Sequence, residues 1–413
     1  MRSTSTDSIP SALIPESLER PGNDPIFALL AEANAREAAG EDILNATLGA
    51  LAGEDGKLSI LPTVTAALRE LPPAEFAAYA PIAGLPEFLD GVRTDLFGDH
   101  AVRDQAVAVA TPGGTGALYA SLVNFLGRGE SLLTTSYYWE PYRILADHCG
   151  RGVQTFRSFD EHGRLDLADF EKQLTAQLAQ QERALVLLNT PCHNPTGYSL
   201  DDQEWSGVAD VIRSAARTKP VTLVLDHAYA KFAGSNTADW RPHIAGIAES
   251  AQVLVAWTAS KSFTLYGGRV GAAVAIHSDE AQRKRLFNAL SYSSRGTWSN
   301  GNRAVQRAIG NILADPALRE NCETERAVLV QGLTARVERF KQLAAEAGLR
   351  HPRYEGGFFV CVFSDDPKVA AAKMREAGVF VVPIQGALRV ALCSTPVDSI
   401  PRLIKALKDA GCR

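Results

Sequence analysis

The rhythm of apolar positions changes along the chain. From about residue 105 onward, short apolar runs alternate with longer stretches of helical period. AVAVA at 106–110, SLLTTS at 131–136, GVQTF at 152–156, ALVLLN at 184–189, VTLVLD at 221–226, Val253 to Trp257 and Val270 to Ile276 read as strands. Between them, helices are expected over GGTGALYASLVNFLG, around Tyr142 to Cys149, over Leu165 to Gln181 and over 201–216. Such alternation predicts a mostly parallel sheet covered by helices on both faces. Polar groups at the carboxyl ends of its strands are then the first candidates for chemistry. Thr115, Trp139, Asn194, Asp226 and Lys261 all lie there.

The flanking regions have a different texture. Residues 1 to about 20 read as a mobile arm, and Asp24-Pro25 reads as a helix start, with Asp24 as the cap. That helix stops at Gly40, and Ile43 to Leu48 is strand-like. EDGK at 54–57 is a turn, Leu61 to Leu71 is helical after Pro62, and YAPIAGLPEF is a loop leading into a further helix. After about residue 300, long helices over Asn302 to Leu313 and Glu320 to Gly348 precede the strands FFVCVF, VFVVP and ALRVALC. A last helix covers Val397 to Ala410. This predicts an α/β chain with a large domain over 58–315 and a smaller α/β domain over 316–413. Residues 1–57 serve as an arm and as part of the smaller domain.

A length of 413 residues agrees with two domains. The 46% hydrophobic and 22% charged content is that of a globular protein, and a net charge of -5 points to neither nucleic acid nor an acidic membrane surface. No stretch is long and apolar enough to span a membrane, and the polar N-terminus lacks a signal-peptide core. Six scattered cysteines without a CxxC pair predict free thiols in a cytoplasmic protein and no metal site.

The chemistry gathers around Lys261. It follows the apolar run Val253 to Trp257 among the hydroxyls of Thr258, Ser260 and Ser262, and Arg269 lies eight positions on. Burial lowers the pKa of a lysine, and a neutral amine is what a carbonyl needs to form a Schiff base. Taken alone, Lys261 reads as a solvated loop residue, and it is the rest of the chain that supplies what a Schiff-base lysine needs. TPGGTGAL at 111–118 joins a strand to a helix whose free N–H groups suit an anion. A dinucleotide fold also uses such a turn, but here the next strand ends in Thr-Thr-Ser rather than an acidic residue. NTPCHNPTG at 189–197 holds Asn194 in an extended backbone before Pro195, as a hydrogen-bonding group or as a plain turn. Asp226 ends a buried strand, and a carboxylate there needs a cation, either a salt-bridge partner or a protonated ring nitrogen.

TPGGTGAL, HNPTG, D-x-A-Y at 226–229, the S-K of ASK and G-R-V-G at 268–271 occur in order. Together they resemble the fold-type-I pyridoxal-phosphate (PLP) aminotransferases, and most closely the aspartate/aromatic subgroup. The resemblance runs from DPI at 24–26 to LRV at 388–390. It implies the two-domain α/β fold of that family, PLP as cofactor, and amino-group transfer between an L-amino acid and a 2-oxo acid in two half-reactions. It implies that Lys261 holds PLP as an internal aldimine and carries the proton in catalysis, and that Asp226 keeps the pyridine nitrogen protonated. Asn194 and Tyr229 bond the ring oxygen, and Trp139 stacks on the ring. Gly114, Thr115, Thr258, Ser260 and Arg269 hold the phosphate. Arg389 pairs with the substrate α-carboxylate, with Gly49 close by. Tyr79 reaches the phosphate of a neighbouring subunit, so the resemblance implies a homodimer with shared sites. Arg295, in SYSSRGTWSN, matches an arginine that crosses to the partner and reads a distal carboxylate; otherwise it is an exposed loop residue.

Two positions depart from the family pattern. Thr258 stands where a serine is usual, and Tyr142 stands where a histidine usually backs the pyridinium aspartate. His227 adjoins Asp226, but its side chain is expected on the opposite face of the strand. A β-lyase or decarboxylase on the same scaffold and a non-catalytic PLP-binding protein are the alternative readings.

Overall fold

Among residues 11–22, 25–234 and 237–413, which the computed structural model describes, the apolar runs become strands close to where the pattern puts them. The Asp24 cap lies outside the described residues. The strands are β1 (Leu44–Asn45), β2 (Ala106–Thr111), β3 (Ser131–Thr135), β4 (Gly152–Phe156), β5 (Ala184–Asn189), β6 (Val221–Asp226), β7 (Gln252–Thr258) and β8 (Gly271–Ile276). β9 (Phe359–Phe363), β10 (Val379–Phe380), β11 (Val382–Ile384) and β12 (Ala387–Ala391) follow. The first large sheet has the order β2-β8-β7-β6-β5-β3-β4. Neighbours from β7 through β4 are parallel, and β8 is antiparallel to both β2 and β7.

β5, β6 and β8 are buried at every position, as expected for strands covered on both faces. Alternate residues enter different cores. Val186, Leu188, Leu223, Leu225, Val255 and Trp257 join one, and Leu185, Leu187, Val224, Leu254 and Ala256 join the other. This is the period of two that a pleated strand imposes. In-register pairing of Asn189 with Asp226, and of Asp226 with Ala256, brings the carboxyl ends of three strands to one edge.

A separate core forms around β9, β10 and β12, the second half of the helix Pro316–Ala347 and the helix Ile400–Asp409. Leu44, Ala46 and Leu51 from the N-terminal part belong to it, and β1 pairs in parallel with β10. VFVVP, one run in the sequence, is divided between two sheets: β10 pairs with β1, and β11 with β12. The helix expected from Glu320 starts earlier, at Pro316. Asp315 accepts hydrogen bonds from the N–H groups of Ala317 and Leu318, and Pro316 occupies the first helical position, where no N–H is needed. Among the described residues no helix is long and apolar enough to cross a membrane.

Phe170 is fully buried, and its ring lies 4.9 Å from that of Phe156. Replacing it with alanine leaves a cavity in the main core. Phe170→Ala is expected to lower unfolding free energy by about 3–5 kcal/mol in chemical denaturation. A loss of less than about 1 kcal/mol would contradict the packing described.

Candidate active site

A cavity of about 330 Å³ opens at the carboxyl ends of β5, β6 and β7, where the main sheet meets the second core. Among its lining residues are Asp226 from the end of β6, Lys261 just past β7, and Gly114 and Thr115 from the helix after β2. Trp139, Asn194 and Tyr229 come from loops after β3, β5 and β6. Gly49 and Arg389 reach in from the second core's side.

Lys261 stands on a single helical turn, Ala259–Ser262, directly after β7. Thr258 caps this turn by accepting from the Ser260 N–H at 3.2 Å. The Lys261 Nζ donates to the Gly49 carbonyl at 3.3 Å and lies 4.7 Å from the centre of the Tyr266 ring. Burial pushes its pKa down to about 8; Arg269 and Arg389 add to that, while Cys393 and Asp226 oppose it. The lysine is therefore half neutral at mildly alkaline pH.

Asp226 is buried, and burial pushes its carboxyl above the usual range. Opposing this, Tyr142 donates to Oδ2 at 2.6 Å, and the backbone N–H of Ala228 and the charge of Lys261 act in the same direction. The phenol at position 142 thus provides the donor that the departure from the family pattern left in question. His227 turns away as expected: its ring packs on Trp240 at 4.5 Å, and burial lowers its pKa to about 4. Asn189 was not singled out in the sequence, yet it organises this corner. Its Nδ2 donates to the Asp226 carbonyl at 2.8 Å, and its Oδ1 accepts from the Asn194 N–H at 2.6 Å. It ends a buried strand just as Asp226 does, and the same rule would have found it. Asn194 donates to the Tyr229 hydroxyl at 3.4 Å, and its own Oδ1 is buried without a partner among the described residues.

The opposite wall is a cradle for an anion. Gly113 opens the helix Gly113–Phe125 at φ 69°, and a Cβ there would stand 2.6 Å from the Arg269 guanidinium. Gly271 lets that helix start lie against β7, since its Cβ would come within 2.6 Å of the Gly113 and Trp257 backbones. Arg269, at φ 48°, donates to Ser260 Oγ at 3.3 Å. A helix N-terminus, a guanidinium and the hydroxyls of Thr115, Thr258 and Ser260 together suit a phosphate. A planar ring carrying a phosphate, a basic nitrogen and a phenolic oxygen fits the remaining groups. Among the described residues Asp226 forms no ion pair and feels only the charge of Lys261, the Asn194 oxygen is unsatisfied, and Trp139 offers an aromatic face.

Arg389 is buried, donates to the Thr47 carbonyl at 2.8 Å and lies 4.5 Å from the Phe359 ring centre. Two candidates are not brought to the cavity of their own chain. Tyr79 is 86% exposed on the loop before the helix Pro86–Phe97. Arg295 is exposed in the last turn of the helix Glu280–Thr297, not in a loop, and donates to Ser299 Oγ at 2.7 Å. Tyr266 was not anticipated either; it lines the cavity, and its hydroxyl accepts from the Leu51 N–H at 2.9 Å.

Residues 41–407 match the model of the family described as aminotransferase class I and II. The chain is 26% identical over 395 residues to an aromatic-amino-acid aminotransferase of Paracoccus denitrificans, covering 94% of this chain and 97% of the relative. It is 28% identical over 401 residues to an aspartate aminotransferase of Pseudomonas aeruginosa, covering 94% and 98%. Among solved structures, an aminotransferase from Anaerococcus prevotii superposes with a TM-score of 0.91 at 32% identity, covering 97% of this chain and 99% of that one. An aromatic-amino-acid aminotransferase from Burkholderia pseudomallei, covalently bound to pyridoxal phosphate, gives 0.79 at 25%, covering 95% and 98%.

The depressed pKa of Lys261 has a direct consequence. In cofactor-free protein, acylation by a small anhydride should reach half its maximal rate at Lys261 near pH 8. Exposed lysines should follow only as pH approaches their usual value of about 10.4. Peptide mapping across a pH series measures this, and a Lys261 profile that coincides with the surface lysines would refute the burial argument.

Proposed function

Because the chain belongs to the class I and II aminotransferase family, we propose that it moves an amino group between an L-amino acid, aspartate or aromatic, and a 2-oxo acid such as 2-oxoglutarate. It is an aminotransferase, and its cofactor is pyridoxal 5'-phosphate. The observation that carries the finer reading is the meeting of Lys261, Asp226, Asn194 and Arg389 around one cavity, opposite an anion cradle.

When bound, the cofactor supplies an electron sink for the pair released at the substrate α-carbon. The chain's own groups do the rest. Lys261 Nζ is the attachment point, and as a free amine it takes and returns the α-proton; a pKa of about 8 suits both tasks. Asp226 keeps a proton on the ring nitrogen, and Tyr142 holds that carboxylate in place by its 2.6 Å hydrogen bond. Asn194 and Tyr229 serve the ring oxygen, and Trp139 covers one ring face. Gly114, Thr115, Thr258, Ser260 and Arg269 hold the phosphate. Arg389 pairs with the α-carboxylate, beside Gly49. Amino donor and oxo acceptor use the same groups in turn, which makes the cycle ping-pong. Ile26, Phe27, Leu48, Leu118 and Phe359 give the cavity an apolar mouth that favours an aromatic side chain.

The working unit in this reading is a homodimer. Tyr79 and Arg295 are exposed and outside their own cavity, so each would serve the cavity of a second copy. Phe76 and Ile82, large exposed apolar residues three positions to either side of Tyr79 in the chain, support a covered face there. Residues 58–315 would form the cofactor-binding domain and 316–413 the smaller one, joined by part of 1–57. Six free cysteines suit a cytoplasmic setting.

Two experiments test this reading. Borohydride reduction of the cofactor-loaded protein, followed by peptide mapping, should place the phosphopyridoxyl group on Lys261. Lys261→Ala should lower kcat by roughly 10²–10⁴-fold. A label on another lysine would overturn the assignment.

Substrate choice is tested at Arg295. A guanidinium in a dry interface pairs both oxygens of a distal carboxylate. Arg295→Leu should therefore cut kcat/KM for dicarboxylates by roughly 2–5 kcal/mol and spare aromatic donors. Steady-state kinetics with both donor classes decides, and equal losses for the two would remove Arg295 from substrate recognition.

A further inference from the structure

The helix Pro316–Ala347 is 32 residues long, or about 48 Å, and it passes from one core to the other. Cys322 near its start packs in the main core, and Leu333, Val337, Phe340 and Ala344 pack in the second. It carries two arginines whose side chains are each only 3% exposed, Arg326 and Arg336. Both could reach their acidic neighbours from a solvated position, since Glu323 and Glu54 are themselves about half exposed. Withdrawing a guanidinium from water is costly unless its donors are used. What the buried donors hold is therefore informative.

Arg326 Nε donates to the Ser262 carbonyl at 2.6 Å, and its guanidinium lies 5.2 Å from the centre of the Phe263 ring. Ser262 ends the four-residue turn that carries Lys261. So short a turn cannot satisfy its own terminal carbonyls, and it needs an outside donor to stay formed. Arg336 Nη1 donates to the Cys393 carbonyl at 2.7 Å, and its Nη2 donates to the Ala52 carbonyl at 2.8 Å. Cys393 lies two residues past β12, the strand of Arg389. Ala52 lies three residues past Gly49, whose carbonyl accepts from Lys261 Nζ. One helix thus holds the base of the lysine turn with one arginine and the base of the Arg389 strand with the other. The two grips are ten residues apart, about 15 Å along a rigid axis.

We propose that Arg326 and Arg336 are paired positioning residues that set the spacing between the Lys261 amine and the Arg389 guanidinium through this helix. The inference rests on the reading above, in which Lys261 carries the cofactor and Arg389 the substrate α-carboxylate. The two grips act on different steps. Loss of the Arg326 grip lets the lysine turn shift and disturbs the environment of the attached cofactor. Loss of the Arg336 grip moves the carboxylate-binding strand and weakens substrate binding, whatever the substrate side chain.

The test uses the cofactor-loaded enzyme with Arg326→Met, Arg336→Met and the conservative variants Arg326→Lys and Arg336→Lys. The measurements are the pH midpoint of the cofactor's visible absorbance change, KM and kcat for an aromatic and a dicarboxylic donor, and Tm. Arg326→Met should displace the midpoint by about 0.5 unit or more and lower kcat about tenfold or more. Arg336→Met should leave the midpoint in place and raise KM about tenfold for both donors. The lysine variants should show smaller changes of the same kind, and they carry the comparison if the methionine variants do not fold. Wild-type midpoints and KM values in all the variants that fold, or losses of kcat and KM that simply track Tm without separating the two arginines, overturn the proposal. Lys261→Ala is the control for the underlying reading. If it keeps the wild-type visible titration, the assignment of Lys261 fails; if it loses the titration while the arginine variants stay silent, only the positioning proposal fails.

Discussion

Withdrawing charge from water at one edge of a sheet is the constraint around which this structure is arranged. Asp226 and Lys261 end adjacent strands or the turn beyond them, and burial works against the charged form of both. Neither position is tolerable without support. Asp226 receives a phenol donor from Tyr142, and its backbone carbonyl is held by Asn189. Lys261 rests on the Gly49 carbonyl and the Tyr266 ring. These supports come from the helix after β3, the end of β5, the segment after β7 and the N-terminal segment, so the corner forms only when the whole sheet does. What remains incomplete there among the described residues, the unpartnered Asn194 oxygen and a carboxylate with no ion pair, is what a protonated phosphorylated ring would complete.

Parallel pairing explains why these groups meet. β5, β6 and β7 run in one direction, so their carboxyl ends share an edge and the loops after them face one cavity. β8 reverses direction, and that reversal brings Gly271 under the start of the Gly113 helix. The anion cradle and the carboxylate corner thereby become opposite walls of one space. The second core closes that space from above, contributing Gly49 from one chain end and Arg389 from the other. Segments more than 300 residues apart in sequence thus share one small layer, tied by the pairing of β1 with β10.

Much of this was legible in the sequence because local rules govern it. Apolar runs of five or six residues bounded by Gly, Pro and Asn are strands whatever packs on them, and the main sheet follows the pattern within a residue or two. Motifs such as TPGGTGAL and HNPTG fix backbone shape by themselves, so the residues they carry could be named in advance. Where local signals compete, the apolar pattern and the fold diverge. VFVVP has one apolar texture but serves two sheets. The long helix begins at Asp315-Pro316, ahead of the point where its apolar period becomes regular.

The chain by itself determined the strand and helix alternation, the phosphate-suited turn and the placing of a lysine and a carboxylate at strand ends, because each depends on residues close together in sequence. Only the tertiary structure decided that Tyr142 is the donor to Asp226, that Asn189 orients Asn194, and that Arg326 and Arg336 hold the bases of the lysine turn and the Arg389 strand. Those partners lie from 5 to 84 residues apart along the chain. Which buried donor meets which buried acceptor is set by strand register and helix packing, and neither is written in the neighbourhood of a single residue.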